Sequence, residues 1–563
     1  MDARHRTVAL VSLLAAAGLG CAREPEDSNA LIMSAEIALQ RDDCGRAAAS
    51  YVRASQHLAD ARLAARATSV ALDCGQFQAA EHAAQRWHEL LPADPGALRA
   101  LMRAELGLYR IDEARSAFEI WLKNGAAAVA RNGSGGAVDA LLQVAQQAGA
   151  PATLAMLRGV RSDALQGATA QLALADLAID GWSYREALQY ADRALSAGAP
   201  RAPVQQLISR AHAGLGDADE AVAAADAARS AAPKDQSFAP ADVLLLLGRE
   251  REARAALETL RDNAATHLQA QRRLGQMAFN SGDYDEARRD FSELLGDKDS
   301  SAIAVYYLSA IAERRDDSGA ALRGYGLLTG TSLESAARAR AANILYKQGE
   351  HEAALQMLGA GKDESPAARV SAEIAQAQLL ANGGEAAQAL ARIDDALERT
   401  PGHPDLLYQK AVLLEKAGRT EAAVTLLESL YRERPRDSEA ANALGFILAD
   451  HGRDLARAEG LIKLALQAEP DNPAILDSLG WLDFRRGMSQ QALPLLERAF
   501  RLAQDGDIGA HWGEVLWSLG EKAKAREAWN RAALADPDNA LLKAAQQRAG
   551  VPQMPATGTG TSI

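Results

Sequence analysis

The sequence lacks the signatures that most enzymes carry. It has no Gly-x-x-x-x-Gly-Lys phosphate loop and no Gly-x-Ser-x-Gly nucleophile elbow. His351-Glu352 is followed by Ala353-Ala354-Leu355, so the second histidine of a zinc-protease helix is absent. The glycines at 133, 135 and 136 follow no strand pattern and carry no nucleotide signal. Asp316-Asp317 and Asp394-Asp395 read as solvated charge on turns or polar helix faces, and His511, beside Trp512, as a packed or surface histidine. Positive charge is in deficit: the net charge is −13, which removes the phosphate attraction that nucleic-acid binding depends on. Beyond residue 20 no apolar run reaches the eighteen or so residues of a spanning helix. These absences predict a protein that is not an enzyme, with no catalytic residues, no metal site and no cofactor.

What the sequence has is repetition. Ala-Leu-Gly-Phe at 443 to 446, Ser-Leu-Gly-Trp at 478 to 481 and His-Trp-Gly-Glu at 511 to 514 each precede an alanine in a charged helical run: Ala458, Ala492 and Ala525, 34 and 33 residues apart. Pro470 and Pro537 close the first and third copies, with Gln504 in the equivalent place of the second. A second marker extends the period. Gly216, Gly248, Gly282, Gly349, Gly384, Gly418, Gly452, Gly487 and Gly520 recur at 32 to 35 residues, with one double step of 67 whose missing glycine falls near Asp316. Glycine supplies a turn that ends one helix, and the alanine about five positions later lets a second helix lie against the first. The unit is helix, tight turn, helix, and a period of this length predicts a solenoid.

This pattern resembles the tetratricopeptide-repeat (TPR) family, whose marker positions fall on Leu444, Gly445, Ala458 and Pro470, and again on Trp512, Gly513, Ala525 and Pro537. The resemblance covers roughly residues 28 to 538 and implies an all-α, right-handed superhelical solenoid of about 13 to 14 units, some degenerate. A repeat array makes one elongated body with a core continuous between neighbours.

Taken in order, residues 1–20 read as a targeting segment, with Arg4 and Arg6 before an apolar run from Thr7 to Leu19. Removing it takes away Arg4, Arg6 and Asp2, a net +1, and leaves about −14. Gly18-Leu19-Gly20 before Cys21 resembles a bacterial lipobox, with glycine where leucine is usual; an ordinary signal peptide is the alternative. Acylation of Cys21, followed by Ala22 rather than aspartate, would place the protein on the outer membrane facing the periplasm. Residues 21–29 form a tether, 30–123 the first units, 124–167 a degenerate helical segment, 168–369 the central units and 370–538 the C-terminal units. Residues 539–550 form a capping helix and 551–563 a disordered tail. Cys44 opens the second helix of unit one and Cys74 ends the first helix of unit two, so both fall at one end of neighbouring antiparallel helices. In an oxidising compartment they are a disulfide candidate, and two half-buried free thiols are the alternative.

If Leu444, Leu479 and Trp512 are packed positions, then Tyr408, Asn442, Phe446, Asp477, Trp481, Phe484, Arg485, Glu514 and Trp517 line one concave groove. Aromatic anchors with interleaved polar groups suit a segment of a partner protein. Asn442-Ala-Leu-Gly-Phe446, Pro473 to Trp481 and Gly513-Glu-Val-Leu-Trp517 resemble proteobacterial outer-membrane TPR lipoproteins of the LbcA-like group. That resemblance implies a lipid-anchored adaptor that brings a periplasmic carboxy-terminal processing protease to cell-wall hydrolase substrates. The competing expectation is a structural subunit of an envelope machine, for exopolysaccharide export or outer-membrane protein assembly.

Overall fold

The computed structural model describes residues 27–132, 135–232, 238–359 and 365–551. Cys21, the targeting segment, Pro233 and the tail beyond Val551 lie outside the described residues. Among the described residues there are 31 α-helices, two short 3-10 segments and no strand. The helices form fifteen antiparallel pairs, from Ser28–Gln40 with Cys44–His57 to Gly506–Ser518 with Lys522–Ala535, and Ala540–Arg548 closes the stack. The count exceeds the 13 to 14 units expected, in part because Gly135–Ala148 and Ala150–Leu157 pair within the stretch that lacks the markers. There Ile111–Asn132 runs on through Gly125 as one 22-residue helix, and the core continues without interruption from Leu98 to Ala211.

The two small-residue markers set the packing. Ala458, Ala492 and Ala525 are fully buried. Opposite them, a Cβ at Gly445 would lie 2.7 Å from Ile462, one at Gly480 2.8 Å from Leu496, and one at Gly513 2.0 Å from Trp529. Each glycine therefore admits a side chain of its paired helix into space that any other residue would fill. The turn glycines adopt positive φ throughout, as the period predicts. At the missing step Asp316 takes the left-handed conformation itself (φ 59°), and so do Asp42, Tyr109 and Trp182 in earlier units. Gln504, which replaces the closing proline, is likewise left-handed (φ 48°) and ends its helix.

The array is less elongated than its sequence predicts, because one turn of the superhelix rests on the next. The turns inside the early units lie along the closing turns of the late ones. Asp42 pairs with Arg369 (3.1 Å), Gln76 donates to the Pro401 carbonyl (2.9 Å), and Asp112 pairs with Arg436 (2.7 Å). Further along, Arg501 donates to the Ala213 carbonyl (2.6 Å), Arg314 to the Leu534 carbonyl (2.9 Å), and Lys347 pairs with Asp538 (2.5 Å). Close approach is possible because the early turns present glycine. A Cβ at Gly45 would lie 2.7 Å from Pro401, and one at Gly75 2.4 Å from His403. The centre of this seam is Asp471. Its carboxylate accepts from the Tyr184 amide (2.9 Å) and pairs with Arg498 (2.5 Å), while its own amide donates to the Trp182 carbonyl (3.0 Å).

Candidate functional site

The first helices of the last units and the closing helix wall a cavity of about 550 Å3. Phe446 comes from Ser438–Asp450, Trp481, Phe484 and Arg485 from Pro473–Arg485, and Glu514 from Gly506–Ser518. These five groove residues named from the sequence are brought together. Asp450, His511, Leu541 and Arg548 complete the lining.

At its floor His511 stacks on Trp481 with centroids 4.1 Å apart and planes 22° apart, and Phe446 and Phe484 flank the pair at 5.8 Å and 5.2 Å. His511 is 2% exposed, and its Nδ1 meets both oxygens of Asp477 at 3.0 Å. Burial alone would lower the imidazole pKa, but the Asp477 charge and hydrogen bond outweigh it and raise it above the ordinary value. Asp477 therefore lies beneath the cavity rather than in it, and orients the ring. A histidine held by an aspartate resembles part of a hydrolytic triad, yet this ring is sealed under Trp481 and serves as a wall.

Each end of the cavity carries an ion pair. Asp450 accepts from Trp481 Nε1 (2.8 Å) and from Arg485 (3.2 Å), and Arg548 Nε donates to Glu514 (2.9 Å). The result is a chamber with an aromatic floor and paired charges at both rims. Trp481 is 7% exposed, so it is a floor rather than the open platform its position in the repeat predicts.

Besides Asp477, three of the named residues do not line this cavity. Tyr408 belongs to an earlier unit, where burial and the nearby Glu439 and Asp437 raise its hydroxyl pKa. Asn442 keeps a buried side-chain oxygen without a hydrogen-bond partner. Trp517 packs on Trp529 (5.7 Å), with Lys522 and Arg526 over its ring at 5.1 and 5.8 Å. The sequence reading missed His511, Asp450, Leu541 and Arg548. A signal existed for two of them: His511 follows Asp477 by 34 residues and Arg485 follows Asp450 by 35, about one repeat in each case. At the other end of the array Cys44 and Cys74 are joined by a disulfide with Cα atoms 5.5 Å apart. Among the described residues no group of three or more His, Cys, Asp or Glu side chains is placed to hold a metal ion.

Models of the tetratricopeptide repeat match residues 238–303, 273–329 and 379–445. With the helix-pair architecture, they identify the fold as a TPR solenoid, the scaffold class that typically binds other proteins. The TPR repeat-containing protein PA4667 of Pseudomonas aeruginosa is 31% identical over 211 residues, which cover 38% of this chain and 36% of that relative. The chain thus matches little more than a third of the relative's length. Among solved structures, a tetratricopeptide repeat protein from Parabacteroides merdae is 16% identical with a TM-score of 0.31, covering 44% of this chain and 98% of that one. The thermophilic TPR protein TTC0263 of Thermus thermophilus is 21% identical with a TM-score of 0.29, covering 31% and 96%.

Proposed function

We propose that the protein is a scaffold of the bacterial envelope, anchored through Cys21 to the periplasmic face of the outer membrane, whose C-terminal cavity receives an apolar side chain of a partner protein. The observation that carries the binding role is the cavity itself: a chamber of about 550 Å3 built on four stacked or flanking rings, with its charges already paired at the rims. Such a chamber favours an uncharged anchor residue over a charged one, since an unpaired charge would be desolvated there without compensation. The lipobox-like Gly18-Leu19-Gly20-Cys21 supports the address, and a cysteine pair within bonding distance fits an oxidising compartment. The resemblance of the last units to LbcA-like lipoproteins supports a finer reading. In it the partners are a carboxy-terminal processing protease and the cell-wall hydrolases it degrades, and holding both raises the effective concentration of each near the other.

The test is a crosslinked pull-down of the membrane-extracted protein, comparing wild type with the cavity variant Phe484→Ser/Arg485→Glu and with Trp517→Ala, which lies off the cavity. Loss of a processing protease or cell-wall hydrolase in the cavity variant alone supports the adaptor. Recovery of polymer-export components would move the protein to an envelope machine, and equal capture by all three forms would reduce the cavity to packing.

A further inference from the structure

The disulfide lies on the seam. Cys44 opens the helix Cys44–His57 and Cys74 follows the last turn of Ala61–Asp73, so the bridge ties the turn inside the first unit to the turn inside the second. One closing turn of the late units rests on both. Pro401 fills the space beside Gly45, the residue after Cys44, and the His403 ring lies over Gly75, the residue after Cys74. Gln76 adds a hydrogen bond to the Pro401 carbonyl (2.9 Å), and Asp42 an ion pair to Arg369 (3.1 Å). His403 is 7% exposed and its Nδ1 is sealed without a hydrogen-bond partner, so its seat on the Gly75 turn is one of shape. Both cysteines are buried, and Cys44 borders a cavity of about 440 Å3 whose other walls include Arg369, Arg399 and Thr400 across the seam. This is the first step of the seam, at the end of the array, where opening begins.

We propose that the Cys44–Cys74 bridge is a redox latch for the superhelix: oxidised, it fixes the two early turns as one seat for Pro401 and His403, and reduced, it releases the seam from this end. The units themselves pack without it, since Tyr51, Val52, Ala67 and Val70 share a core beside the bridge. The seat is more demanding. Pro401 and His403 belong to one turn, and both fit only while Gly45 and Gly75 keep their separation. The reductant is a dithiol. Its thiolate attacks one sulfur of the bridge and its second thiol resolves the mixed disulfide; two electrons and two protons pass to Cys44 and Cys74, and the dithiol becomes a disulfide. The coupling is reciprocal. Whatever factor oxidation contributes to closing the seam, closure contributes to keeping the bridge oxidised. The latch rests on the bridge and the seam, not on the cellular address or the adaptor role.

The test uses the full chain in buffers of reduced and oxidised dithiothreitol, with thiols alkylated and counted by mass and hydrogen exchange read on the late side of the seam. Reduction of the wild type should accelerate exchange across residues 400–410, which face the bridge from the other superhelical turn, by about tenfold. Cys44→Ser/Cys74→Ser should exchange there like the reduced protein in every buffer. Gln76→Ala/Arg369→Gln keeps both cysteines and weakens the seam, so the dithiol ratio at which half the bridge is reduced should fall about fivefold. Phe484→Ser/Arg485→Glu should leave that ratio unchanged. Faster exchange confined to residues 28–92, with 400–410 at the oxidised rate in both the reduced wild type and the serine variant, would make the bridge a local staple and overturn the latch. A wild-type dithiol ratio in Gln76→Ala/Arg369→Gln would overturn it equally.

Discussion

Asp471 is where the seam is most exposed to a decisive perturbation. The residue is 4% exposed, and Asp471→Ala removes at once the ion pair with Arg498 and the acceptor of the Tyr184 amide. Arg498 would keep only the Gly214 carbonyl at 3.3 and 3.4 Å, and the start of the Tyr184–Ser196 helix would lose the side chain that satisfies it. Hydrogen bonds to a charged group contribute about 1.5–3 kcal/mol each, and breaking a buried ion pair from one side costs about 3–5 kcal/mol. The expected loss for Asp471→Ala is therefore about 3–5 kcal/mol, whereas Asp471→Asn keeps an acceptor for the amide and should lose about half as much. In a solenoid stability is a sum of nearest-neighbour terms, so the effect should be local to the seam rather than global. Hydrogen exchange at residues 182–186 should accelerate, and small-angle scattering should show a larger radius of gyration. Wild-type exchange at the Tyr184 amide together with an unchanged radius in Asp471→Ala would refute the stacked superhelix.

Two further perturbations address other parts of the fold. His511 gains its partner on folding and its pKa is raised, so the pair's stabilisation is complete below the unfolded value near 6.5 and is lost as pH rises through the higher folded value. Melting temperature followed from pH 6 to 9 should fall more steeply in wild type than in His511→Gln. Buried Glu105, raised to about 7, acts in the same direction and sets the slope that remains, and parallel curves would argue against the His511–Asp477 pair. The Cys44–Cys74 bridge closes a loop of 30 residues, which corresponds to about 3–4 kcal/mol of unfolded-state entropy. Reduction should lower the melting temperature of the first units by that equivalent, and two alkylatable thiols in the air-oxidised folded protein would remove the bridge.

The period was legible because it is written in residues whose chemistry leaves few alternatives. Gly282 and Gly418 stand at φ 81° and 69°, where a side chain is disfavoured, and Ala458 sits where a larger residue would not fit. The early units were harder to read because Asp42, Tyr109 and Trp182 take the same left-handed turn without glycine, at a conformational cost that their surroundings must meet. The groove was half legible: helical register places Phe446, Trp481 and Glu514 on one face, but not which rings lie open and which are covered by a neighbour. His511 was passed over because a lone histidine carries no signal until Asp477, a repeat away, is seen to hold it. The seam was illegible for a different reason. Its hydrogen-bonded pairs lie between 191 and 325 residues apart, and a repeat pattern encodes the contact of each unit with the next, not the pitch that brings one superhelical turn onto another.

That pitch bears on what a scaffold of this kind can do. An open solenoid flexes along its length, so the separation of two sites at opposite ends varies and the effective concentration of one partner near the other is spread over many geometries. Contacts from Asp42–Arg369 to Lys347–Asp538 bind the early units to the late ones along their whole edge. The disulfide-linked first units and the aromatic chamber around Trp481 then belong to one braced body rather than to the two ends of a spring. A partner held against the first units and one seated in the chamber would meet at a fixed separation and orientation. The seam thus matters less for the affinity of either site than for whether both can be used on partners that must react with each other.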